Sequence, residues 1–225
     1  MSITIHGSSL SPFTRKVTLV ALEKDIPFTS KDLNPYSPPD GFEEMSPLKR
    51  IPILQHGDYT LNDSSAISAY LDSAFKNSEQ ALIPDDPKAQ GYVLWIEEYA
   101  DTALFEVISE GVFRPIFINP LMGKSADFET VKNTVANKLP LPLGYLEQQL
   151  AGKKFFSENR LTLADLAVYS QLINLEHSGQ LPKSKTYPNL MAHYDKIKLR
   201  KTAQDLFESE KQYLNLMLKS LNQSK

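Results

Sequence analysis

Apolar positions in the first third of the chain switch between a period of two and a period near 3.6, and each switch marks an element. Ile3 and Ile5 flank Thr4 in SITIH, the alternation of a short strand that ends at Gly7. Phe13, Val17, Val20 and Ala21 then recur at helical spacing over residues 12–24, and Pro27 stops that helix. PFTSKDL (27–33) reads as a second strand, and strand–helix–strand of this length implies a right-handed parallel unit. A proline-rich loop follows (NPYSPPDGF, 34–42), with room for a short helix. IPILQ and YTL then form a hairpin about His56-Gly57-Asp58. From Ser64 on, Ala66, Ile67, Tyr70, Leu71 and Ala74 share one helical face. A small mixed sheet with helices packed on it is expected.

After IPDDPKAQ (83–90), a proline-marked passage running into a helix, no strand pattern recurs. Tyr92, Ile96, Tyr99, Ala103 and Val107 predict one helix, and the run from Phe128 to Leu150 predicts another, interrupted by Pro140 and Pro142. TLADLAVYSQLINLEHSG (162–179) is apolar around most of its circumference, the pattern of a central buried helix. Thr162 and Asp165 fit a capping box at its start, with Leu161 placed to staple onto Leu166, so Asp165 reads as structural rather than catalytic. The tail from Ser209 is amphipathic, with Tyr213, Leu214, Met217 and Leu221 aligned. Three segments result: a mixed domain over residues 1–79, a linker over 80–87, and an all-helical domain over 88–225.

Composition removes several alternatives. With 225 residues and a net charge of −3, the chain has no basic run of the kind that binds nucleic acid. It has no cysteine, which excludes disulfides, thiolate metal sites and a cysteine nucleophile. Neither a signal peptide nor an apolar stretch of about 20 residues appears, so a cytoplasmic protein without membrane contact is expected. His6, His56, His177 and His193 show no metal-ligand spacing, and no metal is predicted.

Three short stretches carry candidate chemistry. Ser11-Pro12 opens the first helix, where serine serves as cap and proline lacks only an N–H that would be unpaired anyway. The same position sets a hydroxyl beside the positive end of a helix dipole, which favours a thiolate or carboxylate. Ile51-Pro52 stands where a loop enters a strand, a candidate cis bond that would leave the Ile51 backbone open to an extended peptide. Asp63 and Ser64 start another helix, Asp63 suited to an ammonium and the helix end to an anion, while Arg50 or Lys49 suits a second carboxylate. Together they describe a site for a small zwitterionic peptide.

SPFTRKV, EKDIPF, SPLKRIPIL, LNDSSAISAYL and LTLADLAVY, spread in this order over residues 1 to about 208, resemble the motifs of cytosolic glutathione S-transferases, of the bacterial serine-type, theta/zeta-like sort. The resemblance implies a thioredoxin-like N-terminal domain (β-α-β-α-β-β-α) followed by an all-α C-terminal domain. It implies glutathione as co-substrate, activated as a thiolate for attack on electrophiles or peroxides, in a homodimer. A glutathione-dependent isomerase or a non-catalytic binding module are the alternative readings. Ser11 would donate to the sulfur, with Ser8 and Ser9 as alternates. Ile51 before Pro52 would pair with the cysteinyl backbone, Asp63 and Ser64 would hold the γ-glutamyl end, and Arg50 the glycyl end. Tyr99, Phe113, Arg114 and Phe117 would face the electrophile. The family's loop often carries a glycine where this chain has Lys49, which predicts a different loop path there.

Overall fold

The computed structural model describes residues 2–76, 81–157 and 160–223, and divides into two compact units, Met1–Gln90 and Gly91–Lys225. The predicted boundary at 79–80 and the side chain of Leu221 lie outside what it describes.

The first unit runs β1 (Ile3–His6), α1 (Pro12–Glu23), β2 (Phe28–Lys31), α2 (Phe42–Met45), β3 (Ile53–His56), β4 (Tyr59–Asn62) and α3 (Ser64–Ala74). This is the β-α-β-α-β-β-α order expected. The strands lie in the order β2-β1-β3-β4, with β1 parallel to β2 and antiparallel to β3. Ile3, Ile5, Val17, Leu19, Val20, Ile53, Leu54, Ile67 and Leu71 form the buried interior, so the apolar periods that define the elements also fill the core. α1 packs on α3, and the two are joined by an ion pair between Lys24 and Asp72 at 2.8 Å. Asp72 also accepts the N–H groups of Leu82 and Ile83 at 2.9 and 3.0 Å, fixing the chain as it leaves α3. A smaller apolar cluster of Leu33, Phe42 and Ile53, joined by Met45 and Ile51, seats α2 on the start of β3.

The second unit is helical throughout its described residues. α4 (Pro87–Tyr99) continues into wider, π-type turns over Ala100–Leu104 and Glu106–Ile118 and ends in α5 (Asn119–Leu121). The Phe105 N–H reaches back five residues to the Ala100 carbonyl. The buried stripe of this run is Val93, Ile96, Ala100, Leu104, Ile108 and Val112, not the predicted Tyr92–Tyr99–Ala103–Val107 line. Steps of four hold one face on a helix wound wider than 3.6 residues per turn. The two tyrosines lie to one side of that stripe, where Tyr92 donates its hydroxyl to Gln149 at 2.9 Å and Tyr99 packs on Tyr145.

As the prolines predict, the Phe128–Leu150 run breaks into α6 (Phe128–Asn137) and α7 (Pro140–Gln149), with Pro140 in the first turn of α7. α8 (Leu163–His177) is buried over residues 163–175. Its capping box forms, and Asp165 does more than cap. Its carboxylate accepts the Thr162 N–H and hydroxyl at 2.7 Å each and the Phe156 N–H at 2.9 Å, and it pairs with His193 Nε2 at 2.8 Å. α9 (Pro188–Lys198) and α10 (Lys201–Gln223) follow, and the tail read from Ser209 is the second part of α10. His177 on α8 pairs with the buried Glu210 of α10 at 3.0 Å and stacks flat on Phe207, which holds α10 in place.

Candidate functional site

The register of the sheet gathers the predicted residues of the first unit. His6 at the end of β1 lies opposite Ile53 at the start of β3, and Ile53 lies opposite Asn62 at the end of β4. The loop after β1, the residues before β3 and the start of α3 therefore leave the sheet at one end. That row spans two strand spacings, about 10 Å, close to the length of an extended tripeptide at about 3.3–3.6 Å per residue.

At the first position Ser11 caps α1, with φ −73° and ψ 124°, its Oγ accepting the Thr14 N–H at 3.4 Å. Its own N–H donates to the Ser8 carbonyl at 3.0 Å, closing a tight turn that contains Ser9. Ser8, Ser9 and Ser11 are all half-buried. Ser11 accepts at Oγ, so its hydroxyl proton is available to donate to an anion. Gly7 enters the turn against Thr14. A Cβ at Gly7 would lie 2.4 Å from Thr14 Oγ1, so only glycine allows β1 and α1 to approach this closely.

At the centre the Ile51-Pro52 bond is cis, and Ile51 stands outside the paired residues of β3. At the far end Asp63 caps α3, accepting the N–H groups of Ser65 and Ala66 at 3.0 Å each. Ser64 is buried in the first turn, while Asp63 is exposed. Beneath that turn the buried ammonium of Lys16 donates to Ser65 Oγ at 3.3 Å. Two helix N-termini thus belong to this end of the sheet, a field that favours negative charge.

Arg50 is exposed, at the end of a loop closed from inside by Ser46. The expected rerouting at Lys49 takes a particular form. Lys49 adopts φ 55°, the left-handed conformation that glycine reaches without a Cβ penalty, so the lysine supports a left-handed turn itself. Its N–H donates to the Ser46 carbonyl at 2.8 Å, and its ammonium pairs with Glu43 at 2.5 Å in solvent.

The four residues expected to face an electrophile do not form one cluster. Phe113 and Phe117 are buried and pack on each other, with ring centroids 4.9 Å apart. Arg114 pairs with Glu110, one turn back on its own helix, at 3.3 Å. Tyr99 lies on the same run roughly 20 Å away, at about 1.5 Å per residue. Its ring packs 4.5 Å from that of Tyr145, and burial together with that neighbour holds its phenol pKa above the ordinary value, keeping it protonated as a hydrogen-bond donor. Sequence reasoning passed over Ser46 and Asn62, which hold the Arg50 loop from inside. Polar residues ending a helix and a strand give no signal beyond that of a turn.

The comparisons with known proteins agree with this arrangement. The family model described as glutathione S-transferase, N-terminal domain, matches residues 5–79, and the one described as glutathione S-transferase, C-terminal domain, matches residues 116–210. Glutathione S-transferase F14 of Arabidopsis thaliana is 29% identical over 160 residues, 69% of this chain; the match spans only 62% of that protein's length. Human glutathione S-transferase theta-1 is 28% identical over 187 residues, 80% of this chain and 75% of its own. Among solved structures, a glutathione S-transferase from Methylobacillus flagellatus KT with GSH bound superposes with a TM-score of 0.76 at 28% identity, covering 91% of this chain and 98% of that one. Matches to both domains in chain order, on a sheet and helical unit of the same architecture, lead to one conclusion: the chain belongs to the glutathione S-transferase family.

Proposed function

We propose that this protein is a glutathione transferase that holds glutathione along the open end of its sheet and activates it as a thiolate. The observation that carries the reading is the His6–Ile53–Asn62 row, which sets a hydroxyl, a backbone edge and a capped helix start side by side over the length of a tripeptide. The relative from Methylobacillus flagellatus, solved with GSH bound, supports it.

In this reading Ile51 pairs its backbone with the cysteinyl residue. Asp63 takes the γ-glutamyl ammonium, Ser64 and the α3 N-terminus take the neighbouring carboxylate, and Arg50 takes the glycyl carboxylate. The thiol loses its proton to solvent, and the Ser11 hydroxyl, with the α1 N-terminus behind it, stabilises the sulfur anion. The sulfur then attacks the electrophile and a carbon–sulfur bond forms as the leaving group departs with the displaced electron pair. Catalysis is placement plus electrostatic stabilisation, with no covalent enzyme intermediate. A homodimer in the cytoplasm belongs to the same proposal.

The test is a glutathione titration of wild type and Ser11→Ala, following thiolate absorbance and turnover of a generic electrophile. Losing a hydrogen bond to a charged sulfur lowers turnover roughly 10–100-fold, while glutathione still binds. The substitution also removes a helix cap worth about 1 kcal/mol, so melting is recorded alongside. Thiolate that persists in Ser11→Ala moves the role to Ser8 or Ser9. Binding without thiolate in the wild type replaces the enzyme with a binding module.

A further inference from the structure

Asn62 ends β4 and directly precedes Asp63. Its Nδ2 donates to the carbonyl of Met45, the last residue of α2, at 2.8 Å. Met45 leads straight into Ser46, whose buried hydroxyl donates to the Arg50 carbonyl at 2.8 Å and accepts the Arg50 N–H at 3.0 Å. One amide thus connects the residue beside the γ-glutamyl position to the loop that carries Arg50 and Ile51. The same end of α2 meets the sheet at Gln55 of β3, whose Nε2 lies 4.0 Å from Met45 Sδ and whose Oε1 pairs with His6 of β1 at 2.7 Å.

Stability gives no reason for an asparagine here. Its Oδ1 is buried and has no hydrogen-bond partner among the described residues. The desolvation penalty of an unpaired buried acceptor is at least as large as the net gain from one neutral hydrogen bond. A leucine of similar size fills the same space without that penalty. What the leucine lacks is the tie to α2.

We propose that Asn62 is a positioning residue for glutathione, fixing the Ser46–Ile51 loop relative to the start of α3 so that both ends of the tripeptide meet partners already in place. This rests on the glutathione reading above. Without the tie, the loop is ordered only as substrate binds, and binding weakens by the free energy of that ordering. Chemistry at the sulfur is spared, because Ser11 stands on a different loop.

Glutathione affinity is measured by calorimetry for wild type, Asn62→Leu and Asn62→Asp, with kcat, KM and the melting temperature of the unliganded protein recorded on the same samples. For Asn62→Leu, Kd and KM rise roughly tenfold, kcat stays within about twofold, and the melting temperature is equal or higher. Asn62→Asp keeps the size, loses the donor, and weakens binding likewise; it carries the test if the leucine variant does not fold. Unchanged affinity overturns the proposal, as does an affinity loss matched by falls in kcat and melting temperature, which marks a merely structural role. A wild type that fails to bind glutathione overturns the glutathione reading, and this one with it; a wild type that binds beside an Asn62→Leu that binds equally overturns this one alone.

Discussion

Asp63 has φ 73° and ψ 126°, a backbone conformation that residues other than glycine rarely adopt, and it persists because its carboxylate holds two N–H groups of α3. The two effects separate by substitution. Asp63→Ala loses the cap and keeps the Cβ penalty, whereas Asp63→Gly loses the cap and relieves the backbone. Asp63→Gly should therefore melt above Asp63→Ala, by about 1 kcal/mol in stability, while both lose affinity for glutathione to the same extent. Equal melting of the two would show that the backbone carries no strain there. At this scale the sequence was informative about chemistry and silent about conformation. Ser11, Ile51-Pro52 and Asp63 were legible because capping and proline rules act on near neighbours. The left-handed turn at Lys49 was not, because it is fixed by bonds from Ser46 that no local pattern announces.

At the scale of elements, the sheet and its helices followed from periodicity almost residue for residue. The long run from Pro87 did not. Its wider turns shift the buried stripe onto Ala100, Leu104 and Ile108, and a 3.6-residue template applied to Tyr92 and Tyr99 selects a neighbouring face. Wide turns come from tertiary packing, and one contact makes that visible. Gly111 faces α6 so closely that a Cβ would lie 2.4 Å from Thr134 Cγ2 and 2.5 Å from its Oγ1. Gly111→Ala should cost about 1–3 kcal/mol by overpacking, read as a lower denaturation midpoint. Thr134→Ala, which removes both colliding atoms, should restore most of the loss when combined with it. A double variant no more stable than Gly111→Ala alone would place the strain elsewhere.

At the scale of the whole molecule, the division into two compact units was legible as a change of rhythm near the proline-marked passage at 83–90. The tie made there was not: Asp72, read from sequence as one more residue of α3, reaches both Lys24 and the backbone of Leu82 and Ile83. The chain's single tryptophan, Trp95, stands in α4, half exposed, its indole N–H donating to the Tyr145 hydroxyl at 2.7 Å. Its fluorescence is therefore a private reporter of the Gly91–Lys225 unit. Tyr145→Phe, which removes the acceptor, should shift the native emission maximum, and substitutions at Asn62 or Asp63 should leave it where it is. Any denaturation curve recorded by this light alone describes how the helical unit comes apart, and a far-ultraviolet dichroism curve is what brings the sheet into view.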